Sequence, residues 1–238
     1  MILGIDVGNT SIVYGRIDDP GNEEMNRVDT GINSVSEILR YYRHGKFEGA
    51  ILSSVVPAVT EVLKTAIPGL KVISHKMNMN ITIGIDHPEE LGQDLIVGAV
   101  AAVENYELPL AVIDMGTAST IFIVDQNHIF RGGTIHPGMN IELKSLDKCT
   151  ALLPGLSFEK PEKVLGTNTV DCIRSGILYG HAGMADGIIT QIEKELGYPL
   201  NCIATGGLAR YIIPLCSHQI TLDEELILKG LRILYQMN

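Results

Sequence analysis

The chain has 238 residues, 45% of them hydrophobic but only 5% aromatic with no Trp, and a formal net charge of −10 at pH 7. That balance can bury one large core or two ordinary ones and excludes a disordered segment. With a sequence pI near 5.1, it also argues against the basic face that nucleic acid or an anionic membrane requires.

A phosphate ligand stays possible, because backbone N–H groups and a bound cation can hold one locally. Cys149, Cys172, Cys202 and Cys216 form no CxxC pair. They read as free thiols of a reducing compartment and not as a zinc site. The N-terminus, MILGIDVGNT, lacks the basic region and long apolar stretch of a signal peptide. No apolar run approaches the ~20 residues of a membrane span. A soluble, cytoplasmic protein is expected.

In chain order, Met1–Val7 predicts a buried strand ending in Gly8-Asn9-Thr10, with Ser11–Ile17 returning from that turn. Asp18-Asp19-Pro20-Gly21-Asn22 reads as a second turn. Val35–Arg43 has helical spacing, Ala50–Val56 is a strand stopped by Pro57, Ala58–Ile67 a helix and Lys71–Ser74 a short strand. Lys76–Asn80 reads as a loop or edge. Glu89-Glu90 caps the next helix, Asp94–Asn105, which carries Asp94 in its first turn.

The second half opens the same way. Leu110–Met115 is an apolar strand, Gly116-Thr117-Ala118 a turn, and Ser119–Val124 the return. Gln126-Asn127-His128 leads into a strand at Ile129–Gly133. Gly138–Leu146 and Thr169–Glu195 read as helices, Cys202–Ala204 as a strand stopping at Thr205-Gly206-Gly207, and Glu224–Tyr235 as the closing helix. Strand–turn–strand units followed by helices in both halves predict an α/β fold of two similar domains facing a cleft, with boundaries at 1–108 and 109–238.

The two openings match: Asp6-Val7-Gly8-Asn9-Thr10-Ser11 lines up with Asp114-Met115-Gly116-Thr117-Ala118-Ser119. Glycine at the turn lets the backbone approach a phosphate with no Cβ in the way. Small hydroxyl and amide residues can donate to phosphate oxygens. A carboxylate cannot bind phosphate directly, but it can hold a cation that does. One such hairpin is an ordinary turn; two at equivalent positions, with a later Thr-Gly-Gly, point to polyphosphate binding. Neither a P-loop nor a Rossmann G-x-G-x-x-G is present.

With these motifs placed, the chain resembles the type III pantothenate kinases of the acetate/sugar kinase, chaperone and actin superfamily. DVGNT (6–10), LGQD (91–94), DMGTAST (114–120), GGTIHPG (132–138), NT (168–169) and TGGLA (205–209) carry the resemblance, in order, over nearly the whole chain. It implies two actin/hexokinase-like (ribonuclease H-like) domains and ATP-dependent phosphorylation of pantothenate.

Residue by residue, the resemblance implies an ATP phosphate loop at Asp6, Val7, Gly8, Asn9, Thr10, Ser11, Ile12 and Val13, with Asp6 toward Mg²⁺. Thr117, Gly206 and Gly207 are further ATP contacts. Asp114 is a ligand of a monovalent cation, potassium or ammonium, and Asp94 is the general base. Gly92, Gln93 and Thr169 lie on the acceptor side, with Thr169 reaching the neighbouring subunit of a homodimer. Independently of the family, a carboxylate at a helix start suits a base, since the helix dipole favours its ionised form.

The acceptor stretch departs from the family pattern. Ile85 stands where the family usually has Tyr, and Leu95 where it has Arg. One charge-assisted hydrogen bond is worth about 1.5–3 kcal/mol, so these positions bear on which acceptor is used. The alternatives are a paralogous kinase for a different small hydroxyl acceptor, more apolar or uncharged, or a nucleotide-binding regulatory protein with little turnover. His87, His136 and His181 read as structural, with His136, inside GGTIHPG, the one to test.

Overall fold

Two strands that end in Asp-x-Gly organise the protein, described here by a computed structural model that covers residues 1–18, 25–149 and 157–238, without the side chains of Asp147 and Cys149. The expected turn at Asp18–Asn22 falls largely outside these residues, as does the Cys149 thiol. The contacts divide the chain into two units. The first comprises Met1–Asn105, His128–Phe130 and Glu225–Asn238, and the second Tyr106–Asn127 and Arg131–Glu224.

In the first unit, β1 (Ile2–Val7) is apolar until Asp6 and pairs antiparallel with β2 (Ser11–Arg16). β2 pairs antiparallel with β3 (Met25–Asp29). On its other side β1 pairs in parallel with β4 (Gly49–Ser54), and β4 with β5 (Lys71–Val72), giving the order β3-β2-β1-β4-β5. The sequence did not predict β3. Its residues, MNRVD, alternate between exposed and half-buried and carry no apolar run.

Helix α1 (Ile32–His44) buries Val35 and Ile38, and α2 (Pro57–Ala66) starts with Pro57 at its first turn, where the missing N–H is not needed. Helix α3 (Gln93–Asn105) buries every residue from Ile96 to Ala102. Such a helix needs close partners. The closing helix α7 (Leu226–Met237), which the sequence assigned to the second half, is one of them. Gly230 makes the approach possible, because a Cβ there would collide with the Val97 carbonyl oxygen. Burial of Leu226, Leu228, Leu231 and Leu234 contributes about 1.5–3 kcal/mol each to holding α7 in place.

The second unit repeats the plan. β7 (Leu110–Met115) pairs antiparallel with β8 (Ala118–Val124) and in parallel with β10 (Asn201–Thr205), which pairs in parallel with β11 (Ile220–Leu222). With β9 (Ile129–Pro137) beside β8, the order β9-β8-β7-β10-β11 reproduces that of the first sheet. The two-residue β6 (Thr82–Ile83) pairs in parallel with Ile129 and Phe130, which belong with it to the first unit.

β9 runs four residues beyond the expected Gly133. Gly133 is no breaker there: a Cβ would strike the Ile121 carbonyl oxygen of β8, so the glycine permits close strand packing. Helix α4 spans Met139–Cys149. Helix α5 (Thr169–Leu196) is capped by the Asn168 side chain, which accepts from the Asp171 N–H at 3.0 Å, and ends at Gly197 in the left-handed region. A short α6 (Ala209–Ile212) follows β10. Met115, Ile121, Met139, Leu143, Leu178 and Ala204 belong to this unit's core.

Candidate active site

In the first unit the site forms where β1, β4 and α3 end or begin. Asp6 lies opposite Ser53 in the parallel β1–β4 ladder, and the buried Ser53 hydroxyl donates to Asp6 Oδ1 at 2.8 Å. The neighbouring Ser54 N–H donates to Gln93 Oε1 at 2.9 Å, tying the end of β4 to the start of α3. One residue on is Asp94, whose Oδ1 accepts from the Leu95 N–H at 2.9 Å. A Cβ at Gly92 would stand 2.5 Å from that same oxygen, so Gly92 leaves room for the carboxylate.

Asp6 senses the charge of Asp94. Burial pushes the Asp6 carboxyl up to about 6; the Ser53 hydrogen bond opposes the rise, the Asp94 charge adds to it, and Arg27 opposes it. Asp94 is also raised above the ordinary carboxylate range, by burial first and against the Leu95 N–H bond. A buried carboxylate whose ionisation a neighbouring carboxylate further disfavours makes an environment that a divalent cation would relieve. The donor set therefore fits Mg²⁺ at Asp6.

The loop beyond Asp6 is held from the side by β3 and the residue after it. Thr30 donates through its hydroxyl to the Gly8 carbonyl at 2.7 Å and through its N–H to the Thr10 carbonyl at 3.0 Å. Arg27 donates to the Ser11 hydroxyl at 2.8 Å. Asn9 and Thr10 stay exposed at the tip, while Ile12 is buried and Val13 half-buried. Ser53, Thr30 and Arg27 were not among the expected site residues. The usable signal was Ser53-Ser54, a polar pair closing an apolar strand, since open α/β sheets bind ligands at the carboxyl ends of strands.

In the second unit, Asp114 lies opposite Thr205 of β10 and Thr120 of β8. Gly206 follows with φ +95, and a Cβ there would lie 2.5 Å from Asp114 Oδ1 and 2.6 Å from the Met115 carbonyl carbon. Only glycine fits. Gly138 donates its N–H to the Thr117 carbonyl at 3.2 Å, supporting the turn. Gly207 and Thr117 are exposed. Thr169 is exposed at the first position of α5, and with its neighbours Gly166, Thr167, Asn168, Cys172 and Ile173 lines an open surface depression. Ile85 and Leu95 are half-buried.

The hairpins match less closely than their sequences suggest. The first closes between Val7 and Ile12 with Gly8 N–H donating to the Ser11 carbonyl; the second closes between Met115 and Ser119 with Gly116 N–H donating to the Ala118 carbonyl. Four residues form the first loop and three the second. The correspondence holds from Asp6/Asp114 to Gly8/Gly116 and slips by one beyond, so Ser119 takes the place of Ile12 and not of Ser11.

The model of the family described as type III pantothenate kinase matches residues 2–191. A type III pantothenate kinase of Rhodospirillum rubrum is 34% identical over 254 residues, covering 100% of this chain and 99% of the relative. This chain belongs to the type III pantothenate kinase family. Among solved structures, a conserved Baf family protein of Campylobacter jejuni, titled a transcriptional activator, superposes with a TM-score of 0.64 at 20% identity, over 98% of this chain and 97% of that one. An inorganic polyphosphate/ATP-glucomannokinase of Arthrobacter gives 0.54 at 16% identity, over 99% and 97%. At these identities the structures establish the fold alone, which is the actin/hexokinase-like one that the resemblance implied. No helix among the described residues is long and apolar enough to cross a membrane.

Proposed function

We propose that this chain transfers the γ-phosphoryl group of ATP to the primary hydroxyl of pantothenate, giving 4′-phosphopantothenate at the first step of coenzyme A biosynthesis in the cytoplasm. The observation that supports the mechanism is the placement of Asp6 and Asp94 at the carboxyl end of one sheet, where Ser53 bonds Asp6 and Gln93, next to Asp94, bonds the following residue of β4. Asp94 is the base: its raised pKa suits accepting the hydroxyl proton as the bond to phosphorus forms. Asp6, kept ionised with help from Ser53, holds Mg²⁺. When bound, that ion neutralises charge on the phosphates. The loop from Val7 to Val13, with Thr117, Gly206 and Gly207, contacts ATP.

A monovalent cation, potassium or ammonium, belongs at Asp114. Thr120 supports that reading: its Oγ1 is buried and has no hydrogen-bond partner among the described residues, and the residue sits directly across the antiparallel β7–β8 ladder from Asp114. Gly92, Gln93 and Thr169 contact the acceptor, with Thr169 serving a neighbouring protomer of a homodimer. ADP release from purified protein with Mg²⁺, K⁺, ATP and pantothenate tests the assignment. Normal ATP binding with no pantothenate-dependent ADP would overturn the acceptor.

A second reading, a kinase for a more apolar acceptor, is favoured by Leu95 and Ile85, which stand at the family's Arg and Tyr positions. If it holds, Leu95→Arg raises kcat/KM on pantothenate by about tenfold, the worth of one charge-assisted hydrogen bond. Unchanged kcat/KM would remove position 95 from acceptor selection.

A further inference from the structure

Three groups the mechanism does not use converge behind the second hairpin. His136 is near the end of β9, Glu142 is in the first turn of α4, and His181 is midway along α5. One potential ligand atom from each lies within 4.8 Å of the others. Glu142 Oε2 is 3.4 Å from His181 Nε2, and Glu142 Oε1 is 3.5 Å from His136 Nδ1. The imidazoles meet edge to face at 5.5 Å.

These distances exceed the ~3.2 Å limit of an N–H···O hydrogen bond. Each is close to the roughly 3.3 Å edge of a tetrahedron around an ion with ~2.0–2.1 Å bonds, the two being measured to different oxygens of Glu142. His181 is 1% exposed, yet among the described residues its Nε2 makes no well-aligned hydrogen bond, Glu142 Oε2 standing 3.4 Å away. A buried imidazole nitrogen aimed at a carboxylate but not bonded to it is expensive to maintain. A metal ion between them would satisfy both.

The remaining contacts suit a ligand set. His181 Nδ1 is 3.5 Å from the buried Ser119 hydroxyl, an equally long contact that places a polar group at the ring nitrogen other than Nε2. Burial lowers the His181 pKa against the pull of Glu142, favouring the neutral, ligating form. His136 Nδ1 also lies 2.9 Å from the Pro137 carbonyl, so binding must displace that proton or flip the ring. His136 is only partly buried and can make that adjustment.

We propose that His136, Glu142 and His181 form a zinc site with water in the fourth position. Two imidazoles and one carboxylate are a zinc-type donor set, unlike the all-oxygen surroundings that magnesium prefers. The site stands on the opposite face of the β7–β8 hairpin from Asp114, because Ser119 and Thr120 are successive strand residues. Occupancy would brace β9, α4 and α5 against the back of that hairpin.

The test is zinc uptake by full-length, chelator-stripped protein in competition with a chromophoric chelator. We expect one zinc per chain and a Co²⁺ form with the visible absorption of tetrahedral coordination. His136→Asn and Glu142→Gln, both at partly exposed positions, should each weaken binding by about tenfold or more. His44→Asn, an exposed histidine at the end of α1, should leave it unchanged. Failure of wild-type protein to bind zinc stoichiometrically, or wild-type affinity in His136→Asn, overturns the site. So does an equal loss in His44→Asn, which would mark scattered surface binding.

Discussion

The two Asp-x-Gly hairpins sit at the same place in two sheets of the same strand order, yet they solve different physical problems. The first surrounds its carboxylate with side chains: Ser53 donates to Asp6, Asp94 shares its field, and Gln93 fixes the adjoining strand end. The second clears space with backbone. Gly206 takes a left-handed conformation against Asp114, and Gly138 lies beneath a turn one residue shorter. Duplication supplied the frame; charge chemistry collected in one copy and close backbone approach in the other. The first should therefore respond mainly to changes of charge and the second mainly to added volume.

The largest effect expected is on the charge side. Asp94→Asn should lower turnover by about 10²–10⁴, the usual contribution of a positioned base, with ATP affinity by calorimetry near wild type. Retained turnover would make Asp94 an ordinary helix-start residue. On the volume side, Gly206→Ala must place a Cβ against Asp114 and the Met115 backbone at a φ that L-residues avoid. It should destabilise the fold by about 3 kcal/mol or more. Gly207→Ala, with open space around the position, should change unfolding free energy by less than about 0.5 kcal/mol. Equal losses at 206 and 207 would break the distinction.

Asp6→Asn should separate function from stability. The folded Asp6 pKa is about 6 against an ordinary 3.8. The folded chain therefore holds more protons than the unfolded one between those values, and ionisation of Asp6 weakens the fold as pH rises through that window. Two pKa units correspond to roughly 3 kcal/mol at most. With the Ser53 bond retained by the amide oxygen, a gain of about 1–2 kcal/mol is expected. Urea unfolding without Mg²⁺ should show Asp6→Asn more stable than wild type near neutral pH and level with it near pH 4. A less stable variant at neutral pH would contradict the burial argument.

How much of this was legible in the sequence depended on how local the signal is. β7 was expected at Leu110–Met115 and lies there, because an apolar run cut by Asp-x-Gly needs no tertiary context. α5 was nearly complete for a similar reason, with Asn168 and Gly197 at its ends. β3 was missed because a strand of half-exposed polar residues is stabilised by its ladder and not by its own pattern. Ser53 joins Asp6 across 47 positions of sequence, and only the parallel register brings them together. The one-residue slip between the hairpins was likewise hidden, since loop length is counted from the last paired residues and not from the motif. His136, Glu142 and His181 come from a strand and two helices, at spacings that match no metal motif.

The smallest effect probes Ser53 itself. Its hydroxyl donates to the ionised form of Asp6 and holds the pKa below where burial alone would put it. Ser53→Ala should thus raise the Asp6 pKa above about 6 and move the acid limb of kcat/KM to higher pH, because the required carboxylate is then protonated over a wider range. Well above that limb the variant should run close to wild type, with a loss of about 1 kcal/mol or less. Raising Mg²⁺ should pull the two profiles together, since the cation favours the same ionised form that the hydroxyl does. A uniform loss at every pH would make Ser53 a packing residue. A shift that Mg²⁺ cannot reverse would remove Asp6 from the metal side of the site and leave the first hairpin, like the second, a matter of backbone shape.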